Sequence, residues 1–540
     1  MKGRRINIKN NNITKNKILL SLLVIVIFCG FIYIPSAINR DLHYRDELRY
    51  VEVAREMLVN HQWLVPQLAG RFYSDKPPAY FWVLNLFKVI FGTYSTLAMV
   101  LPSIISSIMV VILTFFIGSV FMKNKYSLLA SLILTTSFLF FGMSIFVRMD
   151  MMMSLFITAA LLLFFIGYST DKEVKGRYYQ LMFLLMGIAT VIKGPAGFLD
   201  PLSIVFFFLL LEGNLAELKK MNIFKGFMTF FIVVLLWIIP AIISGGKEYA
   251  YELLIVQTFG RSVKSFAHQR SFYYYFIMFP LTFLPWSMFL ISSFVYALKN
   301  RRNLSREFKF LLAWFWMPFL LFSMISGKLD IYLLPIYPAA SLLVAMLFKK
   351  VLEKRTNNSY LVIPAAMAAI LFIIITLLIP ETIEGIDLRH ILMPTVISML
   401  GLSLIILFSL AKKSYKIIPY LFLLLISIFL VNFSWGVVPP LSATYTKRPI
   451  ANKMKKFKEQ GLNNIVAYEY GQPETLAVYT GFIIPDIKGE ENLFSYIRNN
   501  KQVLIIMNIN HWSNFKNKLA DDFKQVYSSN DYLLLLKQEQ

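Results

Sequence analysis

The chain has 540 residues, 57% of them hydrophobic and only 16% charged, with a formal net charge of +24 and a mean hydropathy of +0.61. A soluble domain runs near half apolar and a quarter charged, so this composition excludes a soluble fold. Cys29 is the only cysteine, which excludes a disulfide framework and argues against redox chemistry.

Six basic residues, Lys2, Arg4, Arg5, Lys9, Lys15 and Lys17, precede a first apolar run at 17–37. That run is too long for the core of a signal peptide and lacks a small-residue cleavage site, so it reads as a retained anchor. Twelve further runs follow near 97–119, 127–146, 152–168, 178–192, 196–211, 226–243, 272–296, 307–325, 331–348, 360–379, 391–411 and 416–437. Each approaches the roughly 20 helical residues that cross a hydrocarbon core. In lipid the backbone must pair within the segment, so these are helices and the chain is an all-α polytopic membrane protein. The fifth and sixth spans are short, and Lys193-Gly-Pro195 between them suits a re-entrant turn.

Basic clusters fill alternate loops: Lys123 and Lys125, Lys172 to Arg177, Lys219 to Lys225, Arg301 to Lys309, Lys349 to Arg355, and Lys412 to Lys416. The positive-inside rule then puts the N-terminus in the cytoplasm. Thirteen spans carry the end of the chain to the outer, periplasmic side of the cytoplasmic membrane. The same clusters account for the charge through topology and anionic lipid, so no nucleic-acid partner is expected. Residues 1–440 read as the transmembrane domain, with outer loops at 38–96 and 244–271. The polar tail 441–540, with short apolar runs at Ile465 to Tyr470, Val503 to Met507 and Tyr532 to Leu536, reads as a small extracytoplasmic α/β domain.

The chemistry-bearing residues gather on the outer loops. The first loop contains Arg45-Asp-Glu-Leu-Arg-Tyr50 and later Tyr73-Ser-Asp-Lys-Pro-Pro78. As a helix it puts Asp46, Arg49, Tyr50 and Val53 on one face, with Glu52, Arg55 and Glu56 beside them. The plain reading is an amphipathic helix at the membrane surface, with exposed ion pairs of little energetic weight. Trp63, Tyr80, Phe81 and Trp82 suit interfacial anchors, as does the stripe Tyr273 to Phe276. Arg148 and Asp150 flank a span boundary, as do Lys328 and Asp330, and each couple also suits a plain helix end.

Asp-Glu-x-Arg-Tyr followed by acid-Lys-Pro-Pro resembles the first periplasmic loop of the aminoarabinose transferases. These are GT-C membrane glycosyltransferases that share their fold with the protein O-mannosyltransferases and use polyprenyl-phosphate sugars. Three more motifs follow in the family's order: Arg148-Met-Asp150, Phe259-Gly-Arg261 through His268-Gln-Arg270, and Ser326-Gly-Lys-Leu-Asp-Ile-Tyr332-Leu-Leu-Pro335. Two departures stand near the presumed donor phosphate. Asp75 replaces the family's Glu before Lys76, and Asp330 replaces a Pro.

The resemblance implies an enzyme that moves a sugar from an undecaprenyl-phosphate donor to lipid A or a similar envelope acceptor, with a protein hydroxyl as the alternative acceptor. Asp46 would be the catalytic base, because an acceptor hydroxyl must lose a proton as it attacks. Asp150 would be a second acid. Tyr50, Lys76, Arg261, Lys328 and Tyr332 would hold the leaving phosphate, where preorganised cations lower a barrier. Glu47, Arg49 and Arg270 would support them. In the family the acid before Lys-Pro-Pro and a His of the second loop share a metal. Asp75 and His268 match that pair, and zinc suits those donors. A flippase for lipid-linked glycans is the reading from another class. It is disfavoured because the spans hold few ionisable residues at mid-membrane depth.

Overall fold

The computed structural model describes residues 12–170, 172–260, 269–383, 386–519, 522–529 and 531–537. The chain divides into two compact units. One comprises Met1–Ala37, Asp75–Tyr80 and Val100–Val437; the other comprises Ile38–Ser74, Phe81–Met99 and Val438–Gln540.

The first unit is a bundle of apolar helices. Among the described residues nine helices are long and apolar enough to cross a membrane, or ten if one bent pair counts as a span. Each of the thirteen expected runs lies on a helix or a pair of helices. The protein is therefore a multi-pass membrane protein. Burial separates core from rim: the span Asp330–Leu352 is 89% buried, whereas Leu388–Ala411 is 28% buried and turns most of its surface outward to lipid. Ala339, Ala340, Ser341 and Ala345 line the central helix, and small residues let neighbouring backbones approach.

Two expected spans are broken. Residues 127–146 form Asn124–Thr135 and Phe138–Ser144, bent by 70°. The hydroxyls of Thr135, Thr136 and Ser137 turn back onto the carbonyls of Ser131, Leu132 and Leu134, and that competition bends a helix. Residues 272–296 form Tyr274–Thr282 and Ser287–Lys299, with Pro285, which has no N–H to donate, in the gap.

The expected re-entrant turn is instead a tight helical hairpin between Lys172–Lys193 and Ala196–Glu212. Gly194 turns the corner at φ +107°, a region L side chains rarely adopt. Gly197 lets the two helices close, since a Cβ there would sit 2.4 Å from the Ala189 carbonyl carbon. This hairpin aims Lys193 into the unit.

The second unit holds the helix Arg45–Val59, the small hairpin Gln67–Leu68 with Arg71–Phe72, and the C-terminal α/β domain. The domain's five-stranded sheet runs in the order Asp486–Ile487, Ile465–Tyr468, Leu504–Asn508, Tyr532–Lys537, Phe523–Ser528. The Ile465–Tyr468 strand is parallel to both its neighbours, and the last two pairings are antiparallel. The three apolar runs of the tail are its three central strands. They alternate by a period of two. Val466, Ile505, Met507 and Leu535 pack on one face against Leu493, Ile497 and Phe515. Ala467, Leu504, Ile506 and Leu534 pack on the other against Ile450, Met454 and Leu476. A sheet covered on both faces explains why these strands read as unbroken apolar runs.

Candidate active site

The Arg45–Val59 helix forms as the acidic motif suggested, with Asp46 and Glu47 in its first turn, where negative charge suits the helix dipole. Asp46 and Arg49 pair at 2.7 Å and both remain partly open to solvent. The Arg49 guanidinium lies 5.8 Å from the Tyr50 ring centroid and 5.7 Å from that of Tyr73. Tyr50 itself is buried and packs on Phe81. Asp46 is thus held beside a cation and an aromatic shelf.

The rest of the helix departs from the expected surface helix. Glu47, Glu52 and Glu56 are buried, with Leu48, Val51, Val53 and Met57. Each acid has a dedicated partner, as buried charges require. Arg40 grips Glu47 with two hydrogen bonds of 2.8 and 2.5 Å. Arg55 grips Glu52 with bonds of 2.8 and 2.7 Å. Glu56 accepts the backbone N–H groups of Ala69 and Gly70, which fixes the tip of the small hairpin. Burial pushes the Glu52 carboxyl up to about 7, against the pull of Arg55 and with a further push from Glu56.

The tail domain anchors the start of this helix. The Tyr479 hydroxyl donates to the Leu42 carbonyl at 2.6 Å, Arg448 pairs with Asp41 at 2.7 Å, and the Asp41 N–H donates to the Ser442 hydroxyl at 2.8 Å. Arg45 donates to the Gln472 side chain. Glu474 adds a negative charge acting on Arg45 and Arg49.

In the first unit Asp150 sits in the first turn of Met149–Ser169 and is 1% exposed. Its Oδ1 pairs with Lys193 Nζ, and its Oδ2 lies 3.5 Å from Arg148 Nε. The charge of Lys76 acts on it as well. Arg148 is placed by its backbone, whose N–H donates to the Ser103 hydroxyl. The Lys193 ammonium lies 5.1 Å from the Tyr332 ring centroid, so it joins the Asp150 pair to the Ser326–Pro335 motif. A second buried acid, Asp200, feels the same lysine.

The expected residues therefore fall into two groups. Asp46, Glu47, Arg49 and Tyr50 belong to the second unit; Asp75, Lys76, Asp150, Arg270, Lys328 and Tyr332 belong to the first. Lys328 is 2% exposed, and its ammonium donates to the Arg270 carbonyl at 3.1 Å and to the Ile325 carbonyl. Two of its three N–H donors thus tie the Arg270 backbone to the end of the preceding helix, leaving one for a ligand. Arg270 is exposed, with its guanidinium 5.9 Å from the Tyr274 ring. Arg261 and His268 lie outside the described residues. Of the expected metal pair only Asp75 is therefore described. Among the described residues no group of three or more His, Cys, Asp or Glu forms a donor set, and a single acid cannot hold an ion alone.

Sequence reasoning missed Lys193, Arg40 and Asp200. Lys193 did carry a signal: it is a lone basic residue on a turn that the charge pattern assigns to the outer side, where basic residues are scarce.

The family described as dolichyl-phosphate-mannose-protein mannosyltransferase matches residues 75–240. An uncharacterized protein of Aquifex aeolicus (strain VF5) is 30% identical over 319 residues, 59% of this chain and 62% of that protein. The undecaprenyl phosphate-alpha-4-amino-4-deoxy-L-arabinose arabinosyl transferase 2 of Proteus mirabilis (strain HI4320) is 27% identical over 339 residues, 62% of this chain and 60% of that one. The chain thus spans about three-fifths of the length of the curated relatives it matches. ArnT from Cupriavidus metallidurans, in a crystal structure bound to undecaprenyl phosphate, has the same fold. The TM-score is 0.75 over 97% of this chain and 98% of that one, at 15% identity. The chain thus has the fold of ArnT and is similar in sequence to aminoarabinose transferases and, over residues 75–240, to the mannosyltransferase family.

Proposed function

We propose that the protein is an inverting glycosyltransferase of the cytoplasmic membrane that works at its outer face. It takes a sugar from an undecaprenyl-phosphate carrier and transfers it to lipid A or a similar envelope acceptor. The observation that carries this reading is the buried Asp150 carboxylate held by Lys193 and Arg148, with the charge of Lys76 added. A structural ion pair needs one cation. Several cations acting on one buried acid suit a site that also receives an anion, and a lipid phosphate is the anion this chemistry releases.

In the reaction the acceptor oxygen attacks the anomeric carbon, the bond from that carbon to the phosphate oxygen breaks, and the acceptor proton passes to a carboxylate. Asp46 takes the proton: it pairs with Arg49 and is partly open to solvent, so an acceptor can reach it. Asp150 has both oxygens engaged by cations and is the positioning acid. Lys76, Arg261, Tyr50 and Tyr332, with the remaining donor of Lys328, receive the phosphate as charge develops. Glu47, Arg49 and Arg270 support them. Residues 1–440 carry this chemistry, and residues 441–540 form a soluble domain on the outer side. A metal bound by Asp75 and His268 would supply further positive charge near the phosphate.

The test is turnover by purified protein with undecaprenyl-phosphate sugar. Asp46→Asn should abolish transfer and leave donor binding within a few fold. A hydroxyl acceptor makes the loss roughly two to four orders of magnitude. If Asp46→Asn turns over normally while Asp150→Asn is dead, the two acids exchange roles. Full activity in both overturns the enzyme reading.

A protein hydroxyl is the second acceptor reading, favoured by the mannosyltransferase match at residues 75–240. Mass spectrometry of lipid A and of surface glycoproteins from a deletion strain separates the two, because only one class should lose a sugar.

A further inference from the structure

The first unit contains a cavity of about 860 Å³ that shares no residue with the Asp150 cluster. Two loops form it: one follows the Tyr337–Leu352 helix, and the other joins Leu388–Ala411 to Ile418–Asn432. These are two of the basic loops that the charge pattern assigns to the cytoplasmic side.

Three lysines line it, Lys354, Lys413 and Lys416, and none of the lining residues is acidic. The nearest acid in sequence, Glu353, turns instead to Arg355 at 3.1 Å and Lys123 at 3.9 Å. Thr356, Asn358 and Ser414 add neutral hydrogen-bonding groups to the wall.

The two loops are built alike. Lys354 N–H donates to the Val351 carbonyl and Arg355 N–H to that of Lys350; Lys413 N–H donates to the Leu410 carbonyl and Ser414 N–H to that of Ser409. Each is a Schellman helix end with a lysine in the left-handed position, φ 56° at Lys354 and 59° at Lys413. Glycine is the default there because a side chain is strained in that conformation. Placing a lysine at both positions costs local stability and directs two cations to one cavity. Five residues beyond each lysine a new helix starts, Ser359–Leu377 and Ile418–Asn432, and the positive ends of two helix dipoles border the same space.

We propose that this cavity is a second anion site that binds the phosphate of an anionic phospholipid headgroup from the surrounding leaflet. The volume falls within the range of small-molecule sites. Two features favour a lipid over a soluble phosphate. Val351, Leu352 and Ile417 give the cavity an apolar wall. Ile417 and Tyr420 are about half exposed, as residues that meet acyl chains would be.

The test is native mass spectrometry of the detergent-solubilised full chain, titrated with phosphatidylglycerol or phosphatidylcholine, with inorganic phosphate as competitor. Phosphatidylglycerol should bind in preference. The triple variant Lys354→Gln, Lys413→Gln, Lys416→Gln should lose that binding by about tenfold or more, since each basic residue near an anionic surface contributes roughly a factor of five. The control triple Lys299→Gln, Arg301→Gln, Arg302→Gln removes equal charge from another basic loop and should change binding less than about twofold. Equal loss in both triples reduces the effect to surface charge and overturns the site. Equal binding of phosphatidylcholine also overturns it. Displacement by inorganic phosphate below millimolar concentration, without phosphatidylglycerol preference, assigns the cavity to a soluble phosphate and overturns the lipid.

Discussion

Lys193 and Asp150 lie 43 positions apart in sequence and meet as a buried ion pair, each closing or opening its helix at the end where its charge suits the dipole. The pair exists because Gly194 and Gly197 let one helix fold back on the next. Removing one member strands the other away from water, which costs roughly 3–5 kcal/mol. Lys193→Met should therefore lower both stability and turnover, and Lys193→Arg should recover most of each. The comparison requires kcat and KM for the donor alongside melting temperatures. A Lys193→Met variant with wild-type kcat at its own folded fraction would remove this lysine from the site.

Glu52 supplies a pH signature. Burial pushes its carboxyl from an ordinary value of 4.5 up to about 7 in the folded protein. Between those values the folded state keeps a proton that the unfolded chain releases, so stability falls as pH rises from about 4.5 to about 7 and is level above. That gap corresponds to roughly 3 kcal/mol. Melting temperatures of wild type and Glu52→Gln in detergent should converge or cross within this window, with the variant showing the flatter profile. A difference that does not change with pH would rule out Glu52 as the titrating group.

Arg40 and Glu47 form a fully enclosed pair in the second unit, with side chains 2% and 0% exposed. Arg40→Met or Glu47→Gln alone should destabilise by roughly 3–5 kcal/mol, whereas Arg40→Met with Glu47→Leu should cost clearly less than the sum. Additive losses in a double-mutant cycle would mean the two residues do not act as a unit. Because this pair opens the Asp46 helix, transfer activity should track the stability changes.

Topology is open to a direct check. A reporter enzyme fused after residue 440 should be active only outside the cytoplasm if the basic loops alternate through thirteen spans as the sequence leads one to expect. Cytoplasmic activity would overturn the count, and the Lys172–Glu212 hairpin is where a miscount would arise.

The bundle was legible because hydropathy is local: a run of bilayer length announces a helix without reference to the rest of the chain. The tail sheet was legible for a similar reason, its three central strands being apolar on both faces. The bends at Thr136 and Pro285 were harder, since hydroxyl back-bonding and a missing N–H leave hydropathy unchanged. Asp46, Arg49 and Tyr50 could be placed on one helical face from their spacing. The burial of Glu47 and Glu52 on the same helix could not, because composition there describes a surface helix equally well.

The amino-acid sequence by itself determined the membrane class, the helices, the α/β tail and the loop motifs, all of which depend on residues close together in the chain. The tertiary structure alone decided that Lys193 reaches Asp150, that Lys328 spends two donors on the Arg270 and Ile325 carbonyls, and that the tail anchors the start of the Asp46 helix. It also decided that two distant helix ends share one basic cavity. Each of these depends on which charges packing brings together and strips of water, and neither periodicity nor hydropathy records that.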